Sequence, residues 1–262
     1  MALISPTFVI MDEREIAKLK SAFGAASARL LLFDYDGTLV NYTPVPSTAT
    51  LPEDVSVLLR RLSSFPFTEI FIISGRSYRD IESLVGHLPV KIIAEHGAMI
   101  REKGIWKREV EDDGLWKKSV LPVFNQVTQS CQHSYIEEKI YSLTWHYRAA
   151  APESGYENSR RLIGLLNNIL PSLGLKLLDG NKVVEVMKSV VGKGRAVKEL
   201  VGNEDHDFIL AIGDDATDEE MFEYFLAAKN AFTIKVGNGN THAGYRFTGV
   251  SQVVTLLKHL TE

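Results

Sequence analysis

The chain has 262 residues, of which 45% are hydrophobic and 24% charged. This is ordinary globular composition, long enough for one large domain or for a domain with an insertion. The formal net charge of -4 argues against a nucleic-acid partner, and no polybasic stretch favours a membrane surface, so we expect a small-molecule partner.

The compartment follows from cysteine use and from the start of the sequence. Cys131 is the single cysteine, so it cannot form a disulfide within the chain, and we expect it to be a small buried hydrophobic residue. Residues 1–11 are apolar but short, contain Pro6, and fit neither a signal peptide nor a membrane span. We therefore expect a cytoplasmic protein.

The most informative stretch is residues 30–39. Its apolar run of Leu and Phe predicts a short buried strand, which is followed directly by Asp34 and Asp36. Parallel sheets bind their ligands at such strand ends, and two carboxylates this close repel unless a cation or a proton lies between them. A divalent metal site is one interpretation, and an acidic turn that follows a strand is the other.

The next part of the chain winds as an α/β sheet. A helix is predicted from Pro52, and a second apolar run over residues 69–73 ends in Ser74, Gly75 and Arg76. A hydroxyl, a glycine that lets the backbone approach, and amides at a helix start are suited to holding phosphate oxygens. A plain turn into a helix explains the same tripeptide.

Residues 98–187 have a different pattern. They predict two helices, a long alternating strand over residues 136–147, and hairpins over residues 99–107 and 175–186. Because a core strand follows from residue 207, we interpret this segment as an insertion. The predicted fold is α/β, with a doubly wound Rossmann-like parallel-sheet core of residues 1–97 and 188–262 and an inserted α+β cap domain of residues 98–187.

A lysine and an acidic cluster follow the insertion. Lys193 stands at the start of a predicted helix, where the helix dipole disfavours a cation, so helix formation alone does not account for it. A further strand over residues 207–212 is followed by Asp214 and Asp215. Helix capping explains Asp218 but not two acids directly after an apolar strand.

Four motifs in this order resemble those of the haloacid dehalogenase superfamily. They are Asp34-Tyr35-Asp36-Gly37-Thr38, Ser74-Gly75-Arg76, Lys193, and Gly213-Asp214-Asp215 with Asp218. Each is weak alone, but the four together, each following or flanking an apolar strand, make an accidental match improbable. The inserted segment between the second and third motifs also resembles the arrangement in sugar-phosphate members of that superfamily.

A narrower resemblance is to the trehalose-6-phosphate phosphatase family. It is carried by Ala94-Glu95-His96-Gly97-Ala98, Trp145-His146-Tyr147-Arg148, the stretch from Gly213 to Glu219, and Glu185-Val186. The family commonly continues the last motif with Arg-Pro, whereas Met187 and Lys188 follow here, a departure that concerns sugar contacts rather than phosphate chemistry.

This resemblance implies a Mg²⁺-dependent phosphomonoesterase that hydrolyses trehalose 6-phosphate through an aspartyl-phosphate on Asp34. It implies that Asp36 protonates the leaving sugar and then deprotonates water, and that Lys193 neutralises charge. It also implies that Asp34, the Asp36 backbone carbonyl and Asp214 bind Mg²⁺, and that Asp215 and Asp218 orient metal waters and Lys193. The residues implied to bind phosphate are Ser74, Gly75 and Arg76, although Arg76 could instead reach the sugar.

Sugar binding is expected from the cap. Alternation along one strand points Glu137 and Lys139 to the same face, with Glu185 and Asn181 on the neighbouring hairpin. Charged residues on an antiparallel strand are also common as a solvated face, which is the alternative interpretation. A trehalose-phosphate synthase, associated or fused, is a further partner that the resemblance implies.

Other functions remain open from the sequence. One is a phosphatase for another sugar phosphate, such as sucrose phosphate or mannosylglycerate phosphate. A second is a phosphomannomutase-like phosphotransferase, which shares the Asp-x-Asp opening and an α/β cap. A third is a non-catalytic regulatory domain, usually marked by loss of Asp34, Asp36 or Lys193, all of which are present.

Overall fold

The computed structural model describes residues 9–43, 45–202 and 205–262; most of the apolar stretch at residues 1–11 therefore lies outside the described residues. The chain divides into two compact units. The core unit comprises Met1–Lys107 and Gly192–Glu262, and the inserted unit comprises Arg108–Val191.

The described residues form thirteen strands and eight α-helices. The strands are β1 (Val9–Ile10), β2 (Arg29–Asp34), β3 (Thr68–Ile73), β4 (Lys91–Ala94), β5 (Met99–Glu102), β6 (Ile105–Arg108), β7 (Tyr135–Glu138), β8 (Ser142–His146), β9 (Leu175–Gly180), β10 (Val183–Lys188), β11 (Phe208–Gly213), β12 (Ala231–Val236) and β13 (Tyr245–Phe247). The helices are α1 (Glu13–Ala25), α2 (Glu53–Ser63), α3 (Tyr78–Val85), α4 (Lys117–Ser130), α5 (Pro152–Asn167), α6 (Lys193–Val201), α7 (Ala216–Tyr224) and α8 (Val250–Thr261).

The core unit is built on a nine-stranded sheet of order β1-β13-β12-β11-β2-β3-β4-β5-β6. The pairs from β1 to β4 are parallel, and β5 pairs antiparallel with β4. The chain winds from β2 through β3 to β4 and later places β11, β12 and β13 on the other side of β2. The boundary between β2 and β11 is therefore the switch point of a doubly wound sheet, where such folds bind ligands. The α/β fold predicted from the sequence is confirmed.

The central strands are apolar because both faces of the sheet are covered. All six residues of β2 are buried, and so are all six of β11. One face packs Leu30, Leu32, Phe71 and Ile73 into a cluster with residues of α6 and α7. Such two-sided burial explains why these strands are runs of hydrophobic residues rather than alternating patterns.

The inserted unit has other bounds than the predicted insertion of residues 98–187. The hairpin of β5 and β6 belongs to the core sheet, where Ile100 is the antiparallel partner of Ile93, and the inserted unit ends at Val191. The difference has a physical reason: an antiparallel hairpin has the same sequence pattern whether it extends the core sheet or begins a new one.

The inserted unit is a four-stranded antiparallel sheet of order β7-β8-β10-β9 with two helices, α4 and α5. Its core includes Phe124, Trp145, Leu162 and Val184, and the buried Cys131 packs there as expected.

The predicted long strand over residues 136–147 is wrong. It is a pair of antiparallel strands, β7 and β8, in which Ile136 faces Trp145. The turn between them contains no Gly or Pro, so the alternation continued through it in the sequence.

Two short strands, β1 and β13, were not predicted, because two or three residues carry too little pattern. In the described part of the chain, the helices are all too short or too polar to cross a membrane.

Candidate active site

The predicted motifs meet at the carboxyl edge of the core sheet. Asp34 is the last residue of β2 and pairs with Ile73, so Ser74 follows at the end of the neighbouring strand. On the other side of β2, Phe33 pairs with Ile212, which places Asp214 just beyond the end of β11. Parallel pairing in register thus brings residues about 180 positions apart in the chain to one edge.

Lys193 binds two of these acids. Its Nζ donates to Asp34 Oδ1 at 2.6 Å and to Asp218 Oδ1 at 2.8 Å, and all three side chains are buried. Burial alone would lower the pKa of Lys193, but Asp218 and Asp34 outweigh it and raise that pKa well above its ordinary value. The helix dipole of α6 disfavours this ammonium, and the two carboxylates compensate for it.

Asp218 also organises the loop after β11. Its Oδ2 accepts hydrogen bonds from the backbone amides of Asp214 and Asp215, at 3.0 and 3.1 Å. A Cβ at Gly213 would lie 2.1 Å from Asp218 Cγ, so glycine is required for this close approach. Both oxygens of Asp218 are thus occupied by protein donors.

Asp215 caps helix α7. Its Oδ1 accepts from the backbone amide and the hydroxyl of Thr217, at 2.8 and 2.6 Å. Burial would raise the pKa of Asp215, but the charge of Lys193 and these hydrogen bonds outweigh it and lower the pKa to about 2. Asp215 is therefore ionised at neutral pH.

The residues that could hold a metal ion are Asp34, Asp214 and Asp218, which offer one carboxylate oxygen each within 4.8 Å of one another. Two of these residues have an oxygen to spare: among the described residues, no donor reaches the buried Asp34 Oδ2 or Asp214 Oδ1. Burial raises the pKa of Asp34 well above its ordinary value despite Lys193, and burial together with Asp215 and Asp218 raises that of Asp214 to about 8. Two buried oxygens without donors, on acids that resist ionisation, fit a divalent cation.

Arg76 lies on Asp36. Its Nε and Nη2 donate to the two carboxylate oxygens of Asp36 at 2.6 and 2.7 Å, and Nη2 also donates to the carbonyl of Pro46 at 2.8 Å. The backbone amide of Arg76 donates to Ser74 Oγ at 3.1 Å. Arg76, which was expected to bind phosphate, therefore forms an ion pair with Asp36, the acid expected to transfer protons.

Gly75 is in close contact with His96. A Cβ at Gly75 would lie 2.3 Å from the imidazole Cε1. His96 and Glu95 have positive φ values of 55° and 48°, and their amides donate to the carbonyls of Ser74 and Arg76 at 3.1 and 3.0 Å. A left-handed turn of non-glycine residues is strained, and here it joins the loops that follow β3 and β4.

Sequence reasoning missed two residues at this edge. The hydroxyl of Tyr42 donates to Asp214 Oδ2 at 2.9 Å, and Lys235 Nζ donates to the backbone carbonyl of Asp215 at 3.1 Å. A lysine inside the apolar strand β12 was a usable signal, because such a cation is seldom buried without a partner. Tyr42 lies in a loop and carried no signal.

In the inserted unit, three of the four expected sugar-binding residues come together. Glu137 and Glu185 both pair with Thr144, one on each side of β8, so they share a face of the sheet. Lys139 lies in the turn after β7 rather than on a strand, and its Nζ is 3.0 Å from Glu185 Oε1. Ser142 Oγ donates to the same oxygen at 2.5 Å.

Glu137 and Asn181 have other surroundings. His146 Nε2 lies 2.7 Å from Glu137 Oε2, and this bond, with the charge of Lys139, lowers the pKa of Glu137 against the effect of burial. Asn181 lies at the exposed tip of the hairpin between β9 and β10, where its backbone carbonyl accepts from Arg148 at 2.7 Å. Asn181 precedes Glu185 by four positions, about 13 Å of extended chain, so it is not part of this cluster.

Comparison with known proteins identifies the family. The family model of trehalose-phosphatase matches residues 32–251. A bifunctional trehalose-6-phosphate synthase/phosphatase of Thermoproteus tenax is 38% identical over 251 residues, which are 95% of this chain and 34% of that protein. A trehalose-phosphatase of Saccharomyces cerevisiae is 34% identical over 75% of this chain and 25% of that protein.

A solved structure has the same fold. The C-terminal domain of the trehalose-6-phosphate phosphatase of C. albicans superposes with a TM-score of 0.91 at 28% identity, covering 98% of both chains. The chain spans about a third or less of the length of the curated relatives it matches. Since the family model covers most of the sequence and the motifs meet in one site, the chain belongs to the trehalose-phosphatase family.

Proposed function

We propose that this chain hydrolyses trehalose 6-phosphate to trehalose and inorganic phosphate. The observation that carries the proposal is the buried set of Asp34, Lys193 and Asp218 at the switch point of the sheet, in a chain that matches trehalose-phosphatase over residues 32–251. The names of the relatives give the substrate class, and the site supplies an acid, a cation and a second acid where a phosphate ester could react.

We propose Mg²⁺ as the cofactor, held by Asp34 Oδ2, Asp214 Oδ1 and the backbone carbonyl of Asp36. The two carboxylate oxygens are buried and, in the described ranges, without protein donors. Oxygen-only donor sets of this kind suit a hard divalent cation. When bound, Mg²⁺ neutralises negative charge on the phosphate and so reduces its repulsion from the nucleophile.

Asp34 is the proposed nucleophile. A carboxylate oxygen of Asp34 forms a bond to phosphorus as the bond to the sugar oxygen breaks, and an aspartyl-phosphate results. Lys193 holds the carboxylate in place through Oδ1, and its ammonium balances negative charge on the transferring group. Asp218 and Asp215 keep that ammonium and the loop after β11 in position.

Asp36 is the proposed acid and base. It gives a proton to the departing sugar oxygen and then takes one from the water that attacks phosphorus, which restores Asp34 and releases phosphate. Its two oxygens are now hydrogen-bonded to Arg76. The arrangement therefore represents a resting form, in which Asp36 has to leave Arg76 before it can transfer a proton.

Arg76, Ser74 and Gly75 are the proposed phosphate-binding residues. Once Asp36 turns away, the Arg76 guanidinium has two parallel N–H groups available, the arrangement that binds a phosphate in a bidentate manner. Gly75 lets the backbone approach the phosphate, and the contact with His96 keeps the position free of a side chain.

Sugar recognition is assigned to Glu137, Lys139 and Glu185 of the inserted unit. Alternating carboxylates and an ammonium can pair with sugar hydroxyls. The support is their common face on the four-stranded sheet and the ion pair of Lys139 with Glu185. Asn181, at the hairpin tip, has weaker support for this role.

A phosphate-release screen tests the proposal. Trehalose 6-phosphate, glucose 6-phosphate, sucrose phosphate and mannosylglycerate phosphate are compared with Mg²⁺, with Asp34→Asn as the inactive control. We expect trehalose 6-phosphate to be preferred and Asn at position 34 to lower turnover by about three orders of magnitude or more. Preference for another sugar phosphate would overturn the substrate, and an active Asp34→Asn variant would overturn the mechanism.

The same screen separates the remaining alternatives. A phosphomannomutase-like enzyme would retain the phosphoryl group on the sugar and would respond to a bisphosphate activator. A regulatory domain would release no phosphate from any substrate.

We also propose a cytoplasmic protein that associates with a trehalose-phosphate synthase, since the T. tenax relative carries both activities in its name. Co-purification of this chain with a tagged synthase from the same cells tests the association.

A further inference from the structure

The two oxygens of Asp214 are in different environments. Oδ2 accepts the hydrogen bond from the Tyr42 hydroxyl at 2.9 Å, whereas Oδ1 is buried, and nothing in the described chain donates to it. Oδ2 also lies over Gly37, where a Cβ would be 2.2 Å away and where φ is +84°. The carboxylate is therefore held from one side, with its other oxygen left open.

We propose that Tyr42 is a positioning residue for the metal site. Its hydroxyl fixes the orientation of the Asp214 carboxylate, so that Oδ1 is presented to the cation together with Asp34 Oδ2. This inference rests on the proposed Mg²⁺ site and adds to it a residue outside the four motifs.

The choice of donor supports this role. Asp34 and Asp36, the other two acids, are bound by the cations Lys193 and Arg76. A third cation on Asp214 would repel the metal, whereas a phenol orients the carboxylate without adding positive charge. Tyr42 thus hydrogen-bonds one oxygen of Asp214 without neutralising the carboxylate, so its negative charge remains available to attract the metal ion.

The position of Tyr42 argues against a role in packing alone. Tyr42 is 39% exposed, in the loop that follows β2, so its ring is not part of the buried core. Its hydroxyl donates to an acid of the site. A phenylalanine would keep the packing of the ring and remove only the hydroxyl.

The test is the Mg²⁺ affinity of Tyr42→Phe, measured by isothermal titration calorimetry without any sugar phosphate. Residues that orient metal ligands commonly contribute about 10- to 100-fold to affinity, and since Tyr42 is partly exposed, we expect a dissociation constant raised about 10-fold. Tyr224→Phe is the matched control, because Tyr224 is also 39% exposed and lies on the core unit. Its affinity should equal that of the wild type.

A second readout separates positioning from general damage. At saturating Mg²⁺ we expect kcat of Tyr42→Phe to return to within about twofold of the wild type, with a raised half-saturating Mg²⁺ concentration. The melting temperature of the metal-free variant should fall by no more than about 2 to 4 °C, because one hydrogen bond is lost, and the shift on adding Mg²⁺ should be smaller than in the wild type. An affinity within twofold of the wild type overturns the inference and leaves the proposed phosphatase intact, whereas a wild type that binds no Mg²⁺ overturns the cofactor itself.

Discussion

Replacing Asp214 by Asn should stabilise the metal-free protein at neutral pH. Burial and the neighbouring acids Asp215 and Asp218 raise the pKa of Asp214 from 3.8 to about 8. A carboxyl whose pKa is raised by folding favours the folded state at low pH, and this contribution is lost as the pH rises from about 4 to 8. At pH 7 the unfolded chain releases the proton, whereas the folded chain largely keeps it.

The magnitude follows from the same two values. Each pH unit between them is worth about 1.4 kcal/mol, so at pH 7, which is 3.2 units above 3.8, a neutral Asn should make the folded state more stable than Asp does by about 4 kcal/mol. Between pH 5 and pH 7 the unfolding free energy of the wild type should fall by about 2 to 3 kcal/mol through this carboxyl, and the variant should lose that slope.

Urea unfolding with a chelator, followed by tryptophan fluorescence at pH 5, 6 and 7, measures both effects. Glu157→Gln, at an exposed position of α5, is the control and should follow the wild type. Added Mg²⁺ should stabilise the wild type and leave Asp214→Asn unchanged. The reasoning would be refuted if the unfolding free energy of Asp214→Asn fell with pH as steeply as that of the wild type. It would also be refuted if the variant were less stable than the wild type at pH 7.

Three further results are expected. Lys193→Met should lower the rate of phosphate release by about 10³-fold or more and the free energy of unfolding by about 3 to 5 kcal/mol. The reason is that Asp34 and Asp218 are left buried without their cation. A release rate within tenfold of the wild type would contradict this. Gly75→Ala should lower kcat/KM and the melting temperature, because the new Cβ clashes with the imidazole of His96. A double variant that also carries His96→Ala should regain the wild-type melting temperature. If it does not, the clash is not the cause of the lower melting temperature. Glu185→Gln should raise KM for trehalose 6-phosphate about tenfold, with a smaller change in kcat, because Lys139 and Ser142 lose a charged hydrogen-bond acceptor. An unchanged KM would show that this cluster does not take part in sugar recognition.

Much of the candidate site was predictable from the sequence. Asp34, Ser74 and Asp214 each follow an apolar run, and a parallel sheet brings the ends of such strands to one edge. Lys193 was conspicuous because a cation at a helix start needs a reason, and its reason is the pair of buried acids. The structure brings these residues to one edge of the sheet, and each of these placements depends on a local sequence pattern.

Other features depended on contacts between distant parts of the chain. The strand predicted over residues 136–147 is two strands, and the hairpin of β5 and β6 belongs to the core sheet. In both cases the alternating pattern was right, but pairing decides where a strand turns and which sheet it joins. A pattern of period two contains no information about its partner.

The sequence by itself determined the α/β core, the order of the motifs and the acids and lysine that carry the proposed chemistry, since hydrophobic runs and charge spacing are local properties. Only the tertiary structure decided which side chains meet: Arg76 on Asp36, Tyr42 on Asp214 and Lys139 on Glu185. These pairs join residues that lie 40 to 172 positions apart in the chain, on different strands and loops, so they depend on strand register and on how the loops pack. That packing brings Asp34 and Asp214 within reach of one cation and leaves one oxygen of each without a donor among the described residues, which is the physical basis for the proposed metal site.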